Sequence, residues 1–142
     1  MKNAIIILLA VLGLTACEKE KLIDTTDLPS AAQAYIETHF GETEIVQVVK
    51  DIDGLRKTYD VYLSTGVELE FDKSGVIKSV ESNRNDRLPD SVIPTTILAY
   101  ATANYPDAHI VSWETDDRGQ EIELSNGLDL HFNANGDFVR ID

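Results

Sequence analysis

The same nine-residue pattern occurs twice in this sequence, as LSTGVELEF at residues 63–71 and as LSNGLDLHF at residues 124–132. Leucine, serine, glycine, leucine and phenylalanine occupy identical positions in both copies. Apolar and polar residues alternate after a Thr-Gly or Asn-Gly pair, which is typical of a strand that follows a hairpin turn. A match of this length without gaps predicts a tandem duplication.

Each copy of the pattern belongs to a longer unit that begins with Leu-Pro. We therefore predict one domain of two repeats, residues 28–87 and residues 88–142. Each repeat is expected to start with an Ala-rich helix, near Ser30 in the first and near Ser91 in the second, followed by four strands. Pro94 falls in the first turn of the second predicted helix, where its missing N–H costs least.

The period-two alternation separates an apolar face from a polar face. Leu69 and Phe71 point to one side, as do Leu130 and Phe132 at the equivalent positions of the second repeat. Short turns between consecutive strands require antiparallel pairing. The sequence therefore predicts an α+β fold, a tandem α-β-β-β-β repeat that forms one antiparallel eight-stranded sheet with two helices packed on its apolar face.

The polar face of the predicted sheet is the candidate partner-binding surface. It is dominated by carboxylates, which attract a basic partner and speed its association. The alternative is a solvated face whose acidity only maintains solubility, since antiparallel sheets commonly leave one face in water. The candidate residues are Asp60, Tyr62, Glu68, Glu70 and Asp72 in the first repeat, and Glu121, Glu123, Asp129 and His131 in the second.

The repeated elements also carry a resemblance to a known family. The leading Leu-Pro, the short helix and the hairpin pattern Asn/Thr-Gly-x-x-Leu-x-Phe-Asp/Asn-x-x-Gly resemble the PepSY-like family, also called beta-lactamase-inhibitor-protein-like. The resemblance covers residues 28–142 and implies a small envelope protein whose relatives suggest inhibition of a peptidase or of a beta-lactamase by a concave sheet. This chain lacks the core disulfide of the latter, because Cys17 is its only cysteine.

The first residues predict export and lipid anchoring. Lys2 precedes an apolar or glycine run at residues 4–14, and the last residue of the run begins Leu14-Thr15-Ala16-Cys17, which resembles a bacterial lipobox. We predict a lipoprotein signal peptide at residues 1–16, lipidation of Cys17 and a flexible tether at residues 17–27. The predicted location is the envelope of a Gram-negative bacterium, anchored in the outer membrane and facing the periplasm or the exterior.

Charge excludes some partners. The 142 residues include 12 Lys and Arg against 25 Asp and Glu, a net charge of −13. A nucleic-acid-binding protein needs a basic surface, so we expect no nucleic-acid partner. We also predict no cofactor and contact with the membrane only through the lipid anchor.

Metal and histidine chemistry have weak signals. Residues 51–54, 116–117 and 133–137 place oxygen ligands on short loops, but none completes an EF-hand, and Asx-Gly turns explain them. We therefore predict no metal site.

His131 is the one histidine expected among carboxylates, with Asp129 and Glu70 as its predicted neighbours.

The leading hypothesis is a non-catalytic envelope lipoprotein that binds a basic protein or exported peptide through the open face of its sheet. In one form of this hypothesis, the protein inhibits a peptidase or another enzyme. We assign no catalytic residues. Two alternatives stay open, a small envelope hydrolase that uses outer-face carboxylates and a calcium-responsive periplasmic binding protein. An enzyme requires a pocket with converging polar groups and a desolvated acid.

Overall fold

The structure, a computed structural model, describes residues 19–142. The predicted signal peptide and the predicted lipidation site Cys17 lie outside the described residues. The described chain is an α+β domain with two α-helices and one sheet. The helices are α1 (Ser30–Phe40) and α2 (Thr95–Asn104), and the strands are β1 (Lys21–Leu22), β2 (Ile45–Asp53), β3 (Arg56–Leu63), β4 (Val67–Asp72), β5 (Ile77–Ser82), β6 (Ile110–Asp116), β7 (Gly119–Leu124), β8 (Asp129–Phe132) and β9 (Phe138–Ile141).

The strands lie side by side in chain order, and every neighbouring pair is antiparallel. The predicted sheet of eight strands is therefore corrected to nine in residues 19–142. The additional strand, β1, pairs Lys21 with Lys50 and Leu22 with Val49. It comes from the segment predicted as a flexible tether, and backbone hydrogen bonds to β2 hold it. Two paired residues are too few to produce an alternating pattern that a sequence reading could detect.

The second helix begins later than predicted. Ser91 lies in a separate 3-10 turn at Asp90–Val92, and α2 starts at Thr95. Pro94 is the residue before the helix, with an extended ψ of 135°, rather than a residue of its first turn. A proline disfavours the helical region for the residue before it, so the helix cannot run back through Ile93. Neither helix in residues 19–142 has the length and apolar content needed to cross a membrane.

Both helices pack on the predicted apolar face of the sheet. Ile36 of α1 and Ile97 of α2 are buried in the same core cluster as the inward-facing strand residues. The repeats build this core alike, because Tyr35 contacts Phe71 edge to face at 5.7 Å and Tyr100 contacts Phe132 at 5.5 Å. The predicted inner side of the sheet is confirmed by the fully buried residues Val61, Leu69, Phe71, Ile122 and Leu130.

A turn glycine in the first repeat explains part of the hairpin pattern. Gly75, between β4 and β5, has a φ of +83°. A Cβ atom there would lie 2.8 Å from the backbone nitrogen of Ala32 and 2.8 Å from Cβ of Pro29. Only glycine lets this turn approach the start of α1 so closely.

Candidate functional site: the open face of the sheet

The sheet has an open face, which we define as the side opposite the two helices. Side chains of directly paired residues lie on the same side of a sheet, so the register identifies the members of this face. In the first repeat Asp60 pairs with Glu70, and Tyr62 pairs with Glu68. The second repeat contributes the equivalent pairs Glu121 with His131 and Glu123 with Asp129, and Asp72 pairs with Thr58. All nine candidate residues therefore share the open face.

The register also joins the two halves of this face. Ser79 of β5 pairs with Glu70 on one side and with Glu114 of β6 on the other, and Glu114 in turn pairs with Glu121. Neighbouring strands lie about 4.8 Å apart, so a row of polar side chains crosses the sheet without interruption. The sequence reading missed several members of the face, which are Glu81, Glu114, Arg140 and Asp142.

Carboxylates crowd one another most strongly around Asp60. The pKa of Asp60 is raised to about 6, first by burial and then by the charges of Glu70, Glu68, Asp51 and Glu20, in that order. Within residues 19–142, Oδ1 of Asp51 is buried without a hydrogen-bond partner. Among the described residues, the carboxylates that raise the pKa of Asp60 have one ion-pair contact, between Nη2 of Arg56 and Oε1 of Glu70 at 3.4 Å. The first repeat therefore presents concentrated and weakly neutralised negative charge.

Tyr62 lies beside this cluster. Its pKa is raised, first by burial and then by the neighbouring carboxylate of Glu68. The hydroxyl therefore stays protonated and keeps its hydrogen-bond donor, while the ring supplies an apolar area on an otherwise charged face.

The second repeat neutralises more of its charge. Nδ1 of His131 lies 2.9 Å from Oε2 of Glu121, and Nε2 lies 2.9 Å from Oδ2 of Asp142. Arg140 contacts the same Asp142 carboxylate at 3.1 Å and thereby lowers the pKa of Asp142. Burial raises the pKa of Glu121, and the neighbouring His131 partly opposes that shift. The network ties the C-terminal strand β9 to β7 and β8.

The position of His131 corrects one prediction. We expected Glu70 beside it, but Glu70 belongs to β4 and three strands separate that strand from β8. The carboxylates that contact His131 are Glu121 and Asp142. Residue order alone does not reveal how far apart the two repeats lie in one sheet.

Two of the three loops that resembled calcium ligands, residues 116–117 and 133–137, form turns that use their own side-chain oxygens. Oδ1 of Asn133 accepts hydrogen bonds from the backbone nitrogens of Asn135 at 2.9 Å and Asp137 at 3.0 Å. Asp116 accepts comparable bonds from Arg118 and Gly119. These are Asx turns, which use the oxygens that a cation would need. The part of the chain that the structure describes contains no group of three or more His, Cys, Asp or Glu residues arranged to hold a metal ion.

A serine and a histidine meet on the opposite side of the molecule. Oγ of Ser91 lies 2.9 Å from Nδ1 of His39. The ring of His39 also lies against Tyr35, with the two centroids 4.4 Å apart. In residues 19–142 no carboxylate contacts this histidine, so the third group of a catalytic triad is missing. The contact joins the end of α1 to the segment before α2.

Known proteins resemble this chain in sequence and in structure. The sequence profile described as "Putative beta-lactamase-inhibitor-like, PepSY-like" matches residues 14–56 and 57–140. No curated protein sequence matches the chain.

Similar solved structures come from the genus Bacteroides. A protein from Bacteroides thetaiotaomicron, described as a putative calcium-regulated periplasmic protein, is 34% identical with a TM-score of 0.82, and the match covers 87% of this chain and 96% of that one. A putative periplasmic protein from Bacteroides vulgatus is 35% identical with a TM-score of 0.81 and the same coverage. Another from the same species, of unknown function, is 32% identical with a TM-score of 0.81, covering 87% of this chain and 99% of that one.

Proposed function

The chain belongs to the PepSY-like family, and we propose that it is a non-catalytic lipoprotein of the cell envelope that binds a basic protein or an exported peptide through its open face. Cys17 is its lipid attachment site in this proposal, and the outer membrane of a Gram-negative bacterium is its location. The periplasmic descriptions of the similar Bacteroides proteins support an envelope location.

The observation that carries the proposal is the unbalanced charge around Asp60. Glu70 lies directly opposite Asp60, and Glu68 follows on the same side of β4. Like charges opposite each other destabilise a sheet, and a surface that serves solubility alone intersperses both signs. A partner with basic side chains relieves this repulsion when it binds. The repulsion between these carboxylates therefore destabilises the free protein, and a bound cationic surface removes that destabilisation.

Inhibition is the form of binding that the family description favours. The name of the matching profile refers to beta-lactamase inhibitors. An inhibitor needs a broad, preformed surface rather than a catalytic centre, and a sheet held by a rigid core provides one. We therefore propose an envelope enzyme, such as a peptidase, with a basic surface around its active site as the partner.

The experiment compares two charge-reversal double variants of the purified protein. Glu70→Lys with Asp129→Lys changes the open face, and Glu37→Lys with Asp107→Lys makes the same net-charge change on exposed positions away from that face. Proteins captured from an envelope extract by the parent are identified, and their association rates are measured at low and high salt. The open-face variant should associate more slowly and lose its salt dependence, while the control should not.

Equal capture and equal salt dependence of the two double variants would refute the open face as the binding surface. Circular dichroism spectra and melting temperatures establish that both variants are folded. An assay of each captured enzyme with and without the protein then separates an inhibitor from a simple binding partner.

A calcium response is the second candidate function. The observation that favours it is the description of the 34% identical protein as calcium-regulated. Calcium would act through Asp60 and Glu70, which lie opposite each other, with water as its remaining ligands, because the described residues contain no ready group of three acidic ligands. A melting-temperature rise in calcium but not in an equal concentration of magnesium, lost in Asp60→Asn, is the expected result. An equal rise in melting temperature with the two cations would refute specific calcium binding, because screening of the carboxylate charges would then explain it.

A further inference from the structure

A cavity opens on the open face where the two repeats meet. Strands β5 and β6 pair through only three residue pairs, and the ladder ends at Ser79 and Glu114. Beyond that point β5 continues to Ile77 and β6 continues to Asp116 without pairing to each other. The cavity in this gap has a volume of about 550 Å³. That size lies within the range of small-molecule sites.

The two walls of the cavity carry opposite net charges. The wall from the first repeat has four basic residues and two acids, Arg56, Lys57, Lys73 and Lys78 with Glu70 and Asp72, and the wall from the second repeat has the acids Glu114, Asp116 and Asp117. Arg56 and Glu70 pair with each other within the first wall. Within residues 19–142, no nitrogen of the basic wall lies within 4.0 Å of a carboxylate oxygen of the acidic wall. Lys73, Lys78, Glu114 and Asp117 form no ion pair at all in that part of the chain.

This arrangement is unusual for a protein with so few basic residues. Acids outnumber bases by about two to one in the chain, yet the three lysines that line the cavity, Lys57, Lys73 and Lys78, form no ion pair among the described residues. A molecule with a negative group at one end and a positive group at the other would give the charged side chains of each wall an ion-pair partner.

We propose that this cavity binds a short peptide whose two ends are free. Its carboxylate lies against Lys73 and Lys78, since Arg56 is already paired with Glu70, and its ammonium group lies against Glu114. An extended peptide of two or three residues, at about 3.4 Å per residue, is a ligand of the size that a cavity of about 550 Å³ admits. Thr58, which pairs with Asp72 on the open face, also lines the cavity, and its hydroxyl offers a hydrogen bond to a peptide amide.

Ligands of a single charge fit this cavity poorly. An anion beside Lys78 still faces the carboxylates of Glu114 and Asp117, and a cation beside those carboxylates still faces Lys73 and Lys78. Each such ligand meets repulsion from one wall, whereas a zwitterion meets attraction from both. The site thus goes beyond the proposed function, because it takes a small molecule with defined ends rather than a basic macromolecular surface.

Titration calorimetry on the purified protein tests the site with trialanine as the probe. The comparison peptides are N-acetyl-trialanine, which lacks the ammonium group, and trialanine amide, which lacks the carboxylate. We expect trialanine to bind and each blocked form to bind at least about tenfold more weakly. Equal affinity for the three peptides, or absence of binding up to about 10 mM trialanine, would overturn the proposal.

Variants assign the two ends of the peptide. Lys78→Met should weaken trialanine about tenfold but leave trialanine amide unchanged, because the amide has no carboxylate to lose. Glu114→Gln should weaken trialanine and leave N-acetyl-trialanine unchanged. Lys21→Met on β1 and Asp107→Asn near α2 are the matched controls, and both should bind trialanine like the parent.

The outcomes are distinct from those of the partner-binding experiment. If Lys78→Met and Lys21→Met weaken trialanine equally, the effect is one of overall charge and the site is refuted. Lys73→Met serves as a second test on the basic wall, and thermal melts exclude unfolding as the cause. Glu70 lines the cavity as well as the open face, so the two roles are separated at Asp129, which lies outside the cavity. Asp129→Lys should weaken binding of the protein partner and leave trialanine binding unchanged.

Discussion

Replacing Asp60 with asparagine should stabilise the protein at neutral pH. Burial and neighbouring carboxylates raise the pKa of Asp60 from its ordinary value of 3.8 to about 6. In the unfolded chain the same group ionises near 3.8, so the folded state holds its proton more tightly. Stability therefore falls as the pH rises from about 4 to about 6 and stays reduced above that. Asparagine keeps the shape of the side chain and removes the charge.

The structure bounds the size of this effect. A pKa raised from 3.8 to about 6 corresponds to at most about 3 kcal/mol of destabilisation at pH 7.5. Asp60 is only partly buried, and water screens part of the repulsion. We therefore expect Asp60→Asn to raise the free energy of unfolding by about 1 to 2 kcal/mol at pH 7.5 and to change it little at pH 4.

Urea unfolding of the parent and of Asp60→Asn at the two pH values measures this difference. Asp107→Asn is the control, since it removes a carboxylate from an exposed position outside the open face. A gain for Asp60→Asn that is the same at pH 4 and pH 7.5 would show that repulsion is not its cause. A loss of stability at pH 7.5 would refute the reasoning, because it would mean that the ionised carboxylate has favourable contacts.

Three further predictions concern the core, one turn and the anchor. Phe71→Ala and Phe132→Ala should each lower the free energy of unfolding by about 3 to 5 kcal/mol in urea titrations, because both rings are buried against a helix tyrosine; parent-like midpoints would contradict the equivalence of the repeats. Gly75→Ala should cost more stability than Gly127→Ala, since both have positive φ but only Gly75 abuts a helix; equal urea midpoints would refute that. Cys17→Ala should move the protein from the detergent phase to the aqueous phase, and an unchanged partition would disprove lipid anchoring at this residue.

The pattern of the strands was predictable because duplication shows it twice. Leu69 and Phe71 alternate with Glu68 and Glu70, and the second repeat shows the same period, so the inner and outer sides follow from sequence alone. The contacts between repeats were not predictable. Glu114 joins the open face through the pairing of β5 with β6. A long segment with its own helix separates these strands, so no turn signal sets their register.

Contacts at the ends of the sheet were missed for a related reason. Asp142 contacts His131 only because β9 pairs with β8. The terminal strand is short and all its residues are exposed, so burial does not mark it in the sequence. Strand β1 shares this property. Edge strands depend on backbone hydrogen bonds to a neighbour, and those bonds leave little trace in residue type.

The two repeats have diverged on the open face far more than in the core. Phe71 and Phe132 are identical and equally placed, whereas the acid Glu70 of the first repeat corresponds to His131 in the second. Because the side chains of the core meet the same packing requirements in both repeats, the shared fold is enough to explain why the two cores are similar. A face that served solubility alone would have no reason to neutralise one half with His131 and Arg140 and to leave Asp60 crowded in the other. Under the proposed partner-binding function, the destabilisation predicted for ionised Asp60 is the cost of a surface that attracts a basic partner to the first repeat.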